Sequence, residues 1–330
     1  MSLLEIDSLK VYYSTRKGWV KAVDGVSFNV EKGEIVGLAG ESGCGKSTMA
    51  FTIMRLLPPE GRIISGKILF DGENLVEKSE EEMRKIRWRK ISMIFQSAMN
   101  ALNPVLSIER QMVDAIRAHL PMTREEAVEK AKRLFEMVGL NPDRIKEYPH
   151  EFSGGMRQRV MIAMALAADP QLVIADEPTT GLDVITQSKI LRLMRDLQKK
   201  LNLSIMLITH DLAVIAETCD RVAIMYAGKI VEYSDVVTLF TCPRHPYAYM
   251  LISAFPSIKS KGRRLKEIKG SPPGLINPPP GCRFNPRCPY AIEKCRVEEP
   301  PYIKIGKGHF VACHLAEKLD FSIGGSSHGW

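Results

Sequence analysis

The chain has 330 residues, 45% of them hydrophobic and 25% charged, with a formal net charge of +8. That composition is expected of a soluble globular protein with room for one full domain and a smaller one. No stretch reaches the roughly 18 unbroken apolar residues of a membrane span, and Met1-Ser2-Leu3-Leu4-Glu5 shows no basic or apolar signal region, so neither a span nor a secretory leader is expected.

Residues 1–40 alternate apolar and polar positions, as in Lys10-Val11-Tyr12-Tyr13 and Val26-Ser27-Phe28-Asn29-Val30. This predicts an N-terminal antiparallel β subdomain. A short apolar strand over 34–39 then runs into Gly40-Glu41-Ser42-Gly43-Cys44-Gly45-Lys46-Ser47, followed by Thr48. The run is a complete phosphate-binding loop, G-x-x-x-x-G-K-[ST]. Its glycines let backbone N–H groups wrap a polyphosphate with no Cβ in the way. Lys46 is suited to the β- and γ-phosphates of ATP, and the Ser47 hydroxyl to Mg²⁺. A helix over 46–57, stopped by Pro58-Pro59, adds the partial positive charge of its N-terminus.

Ser79 and Glu82 form a capping box that opens a helix reaching to about residue 90. The basic run from Arg84 to Lys90 reads as its solvated face. A strand over 91–95 ends at Gln96. Residues 98–150 then carry helical periodicity, with a second capping box at Thr123 and Glu126 and a C-cap at Gly139. This predicts a helical subdomain, about 98–160, inserted into an α/β core. Ser153-Gly154-Gly155 opens a further helix over about 156–168. In isolation it is a capped helix; beside a phosphate loop it is a second candidate phosphate site.

The apolar strand 172–175 ends in Asp176-Glu177-Pro178. Asp176 is placed to hold Mg²⁺, as Walker-B aspartates do. Glu177, one residue further, is the candidate general base for the attacking water. An amphipathic helix over 183–201 and buried strands over 203–209 and 221–226 follow. The alternation predicts a P-loop NTPase core with a mainly parallel sheet between helices. After residue 241 prolines become frequent and basic residues gather at 259–269, like a linker. Gly324-Gly325-Ser326-Ser327 reads as a disordered tail.

Seven cysteines occur, and four of them, Cys282, Cys288, Cys295 and Cys313, crowd near the C-terminus, separated by five, six and seventeen residues. Four thiolates suit zinc or an iron–sulfur cluster, and the spacing matches neither the usual zinc nor the ferredoxin pattern. A Pro-rich segment with little core gains from such a staple.

Taken together, the phosphate loop, the Asp176-Glu177 pair and Phe152-Ser153-Gly154-Gly155 resemble the nucleotide-binding domain of ATP-binding-cassette (ABC) proteins over about residues 3–240. The resemblance implies that Ser153, Gly154 and Gly155 complete the ATP site of a second subunit. The signature's usual glutamine is here Met156. It further implies Gln96 as the glutamine that touches Mg²⁺ and the attacking water. Asp183 matches the D-loop, His210 the switch histidine and Tyr13 the aromatic that stacks on adenine.

Residues 241–330 resemble the C-terminal extension of oligopeptide and dipeptide transporter ATPases. The resemblance rests on Pro243-Arg244-His245-Pro246-Tyr247, Gly270-Ser271-Pro272-Pro273, Gly281-Cys282-Arg283-Phe284 and Arg287-Cys288-Pro289. It implies a [4Fe–4S] cluster on the four cysteines, with Zn²⁺ as the alternative. It also implies an energy-coupling ATPase on the cytoplasmic face of the membrane. Its expected partners are a second such subunit, two transmembrane permease subunits and an extracytoplasmic peptide-binding protein, with no nucleic acid. The competing expectation is a soluble ABC ATPase acting on nucleic acid or ribosomes, with the metal module as reader.

Overall fold

The computed structural model describes residues 2–96, 101–254 and 268–322. In chain order the first elements are β1 (Ser2–Thr15), β2 (Gly18–Glu31), β3 (Ile35–Ala39), α1 (Lys46–Ile53), β4 (Gly61–Phe70), β5 (Glu73–Asn74), α2 (Glu80–Ile86) and β6 (Ile91–Ile94). Then come α3 (Ile108–His119), α4 (Arg124–Met137), α5 (Gly154–Ala165), β7 (Leu172–Asp176), α6 (Val184–Leu201) and β8 (Ser204–Thr209). The last are α7 (Leu212–Thr218), β9 (Arg221–Tyr226), β10 (Lys229–Asp235), α8 (Val236–Thr241), α9 (Pro246–Ser253), α10 (Glu293–Val297), β11 (Tyr302–Gly306) and β12 (His309–Ala312). They fall into two compact units. One comprises Met1–Leu3, Val30–Ile35 and Glu77–Ile208; the other comprises Leu4–Asn29, Val36–Val76 and Thr209–Trp330.

In the first unit β6, β7 and β8 are parallel neighbours, with Met93 opposite Ile174 and Ile174 opposite Met206. These strands are buried throughout. Strands covered on both faces read as continuous apolar runs, which is how the sequence shows them. Ile162, Leu166, Met194 and Leu197 meet Val173 and Ile205 around one small apolar cavity. The inserted helices bury Ile108, Met112 and Ile116 from α3 and Ala127, Ala131 and Leu134 from α4. Both capping boxes form. Gly139 stands just past α4 at φ 70°, the left-handed turn that ends a helix. Helix α2 stops at Ile86, short of residue 90. Trp88 takes φ 67° and its indole N–H donates to the Met164 carbonyl at 2.8 Å, which pulls the chain out of the helix.

In the second unit an antiparallel sheet of order β2-β1-β4-β5 sets Leu4 opposite Phe70 and Tyr13 opposite Gly61. Helix α1 ends at Ile53 rather than near residue 57. Arg55 turns to φ 52° and its guanidinium donates to the carbonyls of Leu75 and Val76, each at 2.9 Å. Strand β3 runs parallel to β9, but β9–β10, β10–β12 and β11–β12 are antiparallel. The strands are therefore mixed, which corrects the expectation of a mainly parallel sheet. After Tyr226 the chain reverses through Ala227 and Gly228, at φ 47° and 85°. So tight a hairpin leaves no room for the crossover that a parallel neighbour needs.

The hairpin β11–β12 adds the C-terminal extension to β10. Its own core is small: Val311, Cys313 and Ala316, with Ile303, Ile305 and Leu315 against them. Glu232 on β10, 0% exposed, anchors it. Its carboxylate accepts from the backbone N–H groups of Arg244 and His245 at 2.9 and 2.8 Å and lies 2.8 Å from Nε2 of His309. His245 in turn accepts from Tyr247 N–H through Nδ1 and caps α9, and burial lowers its pKa to about 3, so the ring is neutral. Glu232→Ala strands these buried donors. We expect a loss of roughly 3–5 kcal/mol, read from the denaturant midpoint; a loss below about 1 kcal/mol would show that water replaces the carboxylate. Most of the basic stretch 259–269 and all of the tail 324–327 lie outside the described residues.

Candidate functional site

The phosphate-binding loop leaves the buried end of β3 and enters α1, whose N-cap is Gly45 at φ 110°. A Cβ on Gly45 would lie 2.1 Å from the Ala22 carbonyl, and one on Gly40 would lie 2.0 Å from that of Met225. Backbone approach this close admits only glycine. Lys46 is buried, and its ammonium donates to the carbonyls of Gly40 and Glu41 at 2.8 and 3.0 Å. The side chain is thus folded along the loop it serves. Cys44 is buried beneath it, and that burial pushes its thiol up. Ser42 and Gly43 are exposed at the loop's rim, while Ser47 and Thr48 are half-buried in the first turn of α1.

The adjacent tyrosines separate. Tyr13 donates to Thr48 Oγ1 at 3.3 Å, on the loop side. Tyr12 donates to Asp24 at 2.7 Å, and burial together with Asp24 raises its hydroxyl to about 12.

In the other unit Asp176 ends β7 with 2% exposure. Glu177 follows at φ 46°. A left-handed conformation costs an L-residue roughly 1–2 kcal/mol, and such strain clusters at working residues. The Glu177 N–H donates to the Ile208 carbonyl at 2.9 Å. Its carboxylate Oε2 accepts from Gln96 Nε2 and from Thr180 Oγ1, each at 3.0 Å. The structure therefore joins Gln96 to Glu177, which follow different strands, and adds Thr180, which the sequence did not single out.

Ser153 caps α5 by accepting from Met156 N–H at 3.4 Å, and Gly154 and Gly155 are the first residues of that helix. Met156 offers its sulfur to the Arg144 guanidinium at 3.5 Å. A Cβ on Gly155 would come within 2.6 Å of Thr186 Cγ2, so α5 and α6 meet closely here. Asp183 caps α6, accepting from Ile185 N–H, Thr186 N–H and the Thr186 hydroxyl at 3.1, 3.0 and 2.7 Å. Those bonds, the Thr186 hydroxyl first, hold its carboxyl below the usual range. His210 is exposed directly after β8, and Asp211 beside it caps α7.

In the extension Cys282, Cys288, Cys295 and Cys313 line one cavity with Phe284 and Leu315. Burial, helped by the neighbouring cysteines, raises the Cys282 thiol to about 12 and the Cys313 thiol to about 11. Among the described residues, however, no three His, Cys, Asp or Glu side chains are grouped to hold a metal ion. A stapling metal is therefore not supported by this geometry. Beside Thr180, Glu232 escaped the sequence, and Arg283 and Arg287 stood there only as letters of the extension's motifs, with no role of their own. A buried charge carries no local pattern, so only their position beside cysteines or within an apolar strand could have drawn notice.

The P-loop, the strand acids and the α/β framework define an ATP-binding cassette. A solved cassette, the dimeric post-hydrolysis state of MJ0796 bound to ADP and Pi, superposes with a TM-score of 0.63 at 29% identity, covering 71% of this chain and 98% of that one. The ABC transporter family matches residues 23–180, and the family "Oligopeptide/dipeptide transporter, C-terminal region" matches residues 231–295. The dipeptide transport ATP-binding protein DppD of Caldanaerobacter subterraneus is 42% identical over 96% of this chain and 98% of its own length. The oligopeptide transport ATP-binding protein OppD of Bacillus subtilis is 48% identical over 95% and 88%. The chain belongs to the ATP-binding subunits of oligopeptide and dipeptide ABC transporters, an ATPase family that drives transport. This membership displaces the competing expectation of a nucleic-acid ATPase. No helix among the described residues is long and apolar enough to cross a membrane.

Proposed function

We propose that this chain hydrolyses ATP to drive peptide import, and that the observation carrying the chemistry is the Glu177 carboxylate held by Gln96 and Thr180. Gly40, Ser42, Gly43, Cys44, Gly45, Lys46, Ser47 and Thr48 bind the polyphosphate, and Tyr13 takes the adenine. Ser47, Gln96 and Asp176 hold Mg²⁺, whose charge the phosphoryl transfer requires. Glu177 takes a proton from the attacking water, and His210 stabilises the γ-phosphate side. Ser153, Gly154 and Gly155 complete the site of a second subunit across an interface that Asp183 helps form. Residues 1–240 make the cassette and residues 241–330 the extension. The subunit works on the cytoplasmic face with two permease subunits and a peptide-binding protein, and the relatives' names support the peptide as cargo.

We further propose that the four cysteines hold a [4Fe–4S] cluster. Four thiols lining one cavity are the donor set of a [4Fe–4S] cluster. Burial raises the thiols of Cys282, Cys288 and Cys313, and a backbone N–H donor to each sulfur acts in the opposite sense, toward the thiolate such ligands need. Iron, acid-labile sulfide and zinc are measured per chain after anaerobic purification. About four iron and four sulfide are expected; zinc without sulfide, or no metal at all, overturns the cluster and leaves the ATPase reading standing.

A further inference from the structure

The stretch from Cys282 to Cys288 does two things at once. Its end residues and Phe284 line the cysteine cavity, while Arg283, Phe284 and Arg287 also grip the nucleotide-binding half of their unit. Arg283 pairs with Asp24 and donates to the Ala227 carbonyl. Phe284 is buried against Tyr226 and Tyr247, with ring centres 5.2 and 5.3 Å away. Arg287 reaches the phosphate-binding loop itself. Its guanidinium donates to both oxygens of Glu41, at 2.8 and 3.1 Å, and to the Tyr226 hydroxyl at 3.2 Å. The remaining donors bond the carbonyls of Lys269 and Ile268, at 3.0 and 3.3 Å. The Arg287 side chain is 7% exposed and that of Glu41 is 23%.

Glu41 sits inside the loop, between Gly40 and Ser42. Its backbone N–H donates to the Tyr247 hydroxyl at 3.1 Å, and its carbonyl accepts from Lys46. One of the two residues whose carbonyls park the phosphate-binding lysine is therefore clamped from the extension by two groups. A fork-to-fork arginine–carboxylate pair fixes direction as well as distance, and here it is mostly shielded from water. The same fork also keeps Glu41, an anion in a loop that must accept anions, turned toward a guanidinium and neutralised.

We propose that Arg287 is a positioning residue for the phosphate-binding loop, acting through Glu41, by which the cysteine-bearing extension sets nucleotide affinity. The inference rests on the reading of residues 40–48 as the nucleotide site. Breaking the pair leaves the loop free to sample other shapes and exposes the phosphates to the Glu41 charge. Binding weakens, while the groups that perform hydrolysis are untouched.

The test uses the full chain and a fluorescent ATP analogue with Mg²⁺. Arg287→Ala is expected to raise Kd about tenfold, the scale of one charge-assisted bond. Arg287→Lys, which keeps the charge but not the fork, recovers part of that loss. Glu41→Gln and Arg287→Ala combined lose no more than the worse single variant, because both break one interaction. In the assembled transporter KM for ATP rises with kcat within about twofold, which a general loss of structure does not produce. Wild-type affinity in a folded Arg287→Ala protein, or losses that simply add in the double variant, overturns the proposal. If Arg287→Ala does not fold, the Glu41→Gln variant carries the test. Lys46→Ala checks the underlying reading: nucleotide binding that survives it discards residues 40–48 as the site, a failure separate from that of Arg287.

Discussion

Glu177→Gln leaves ATP binding intact and lowers turnover in the assembled transporter by about 10²–10⁴-fold, the range supplied by a positioned general base. The amide keeps the shape of the side chain and one hydrogen-bonding oxygen, so Gln96 and Thr180 retain a partner. It cannot accept the proton of the attacking water. Because the backbone at Glu177 is already in the left-handed region, an isosteric change adds no new strain. Stability is therefore expected to stay within about 0.5 kcal/mol. The measurement is steady-state phosphate release beside nucleotide binding on the same preparation. Turnover at the wild-type rate would remove Glu177 from the mechanism.

Gly45→Ala abolishes nucleotide binding and destabilises the protein by several kcal/mol, whereas Gly43→Ala costs only about 1–2 kcal/mol. Both glycines have positive φ, 110° and 77°. They differ in what a methyl group would meet. At Gly45 it would stand 2.1 Å from the Ala22 carbonyl, which belongs to a strand and cannot retreat. At Gly43 nothing lies within 4 Å. The new Cβ at 45 also pushes the first turn of α1 away from the loop that Lys46 must span. Thermal unfolding and nucleotide titration of the two variants side by side check this. Equal losses would mean that backbone conformation, not close approach, explains the glycines.

Much of the fold was legible because its signals are local. Capping boxes at Ser79 and Thr123 form because a hydroxyl and a carboxylate three residues apart satisfy each other's backbone N–H groups wherever they occur. The buried strands β6, β7 and β8 announce themselves by unbroken apolar runs. Helix ends were less legible. α1 and α2 stop early because Arg55 and Trp88 find hydrogen bonds to distant carbonyls, and no neighbour in sequence reports that. The antiparallel strands after β9 carry no local signal for a related reason: Ala227-Gly228 looks ordinary until a hairpin closes on it.

Local sequence was enough to mark the phosphate-binding loop and the strand that ends at Asp176 with Glu177 after it. Each is written as contiguous residues whose chemistry needs no partner from elsewhere in the chain. Packing alone settled that Tyr13 rather than Tyr12 faces the loop, that Gln96 and Thr180 hold Glu177, and that four cysteines line one cavity. It also decided that Arg287 clamps Glu41 across 246 residues of chain. These contacts are set by packing, where the cost of burying a charge is offset by a partner that no sequence pattern marks.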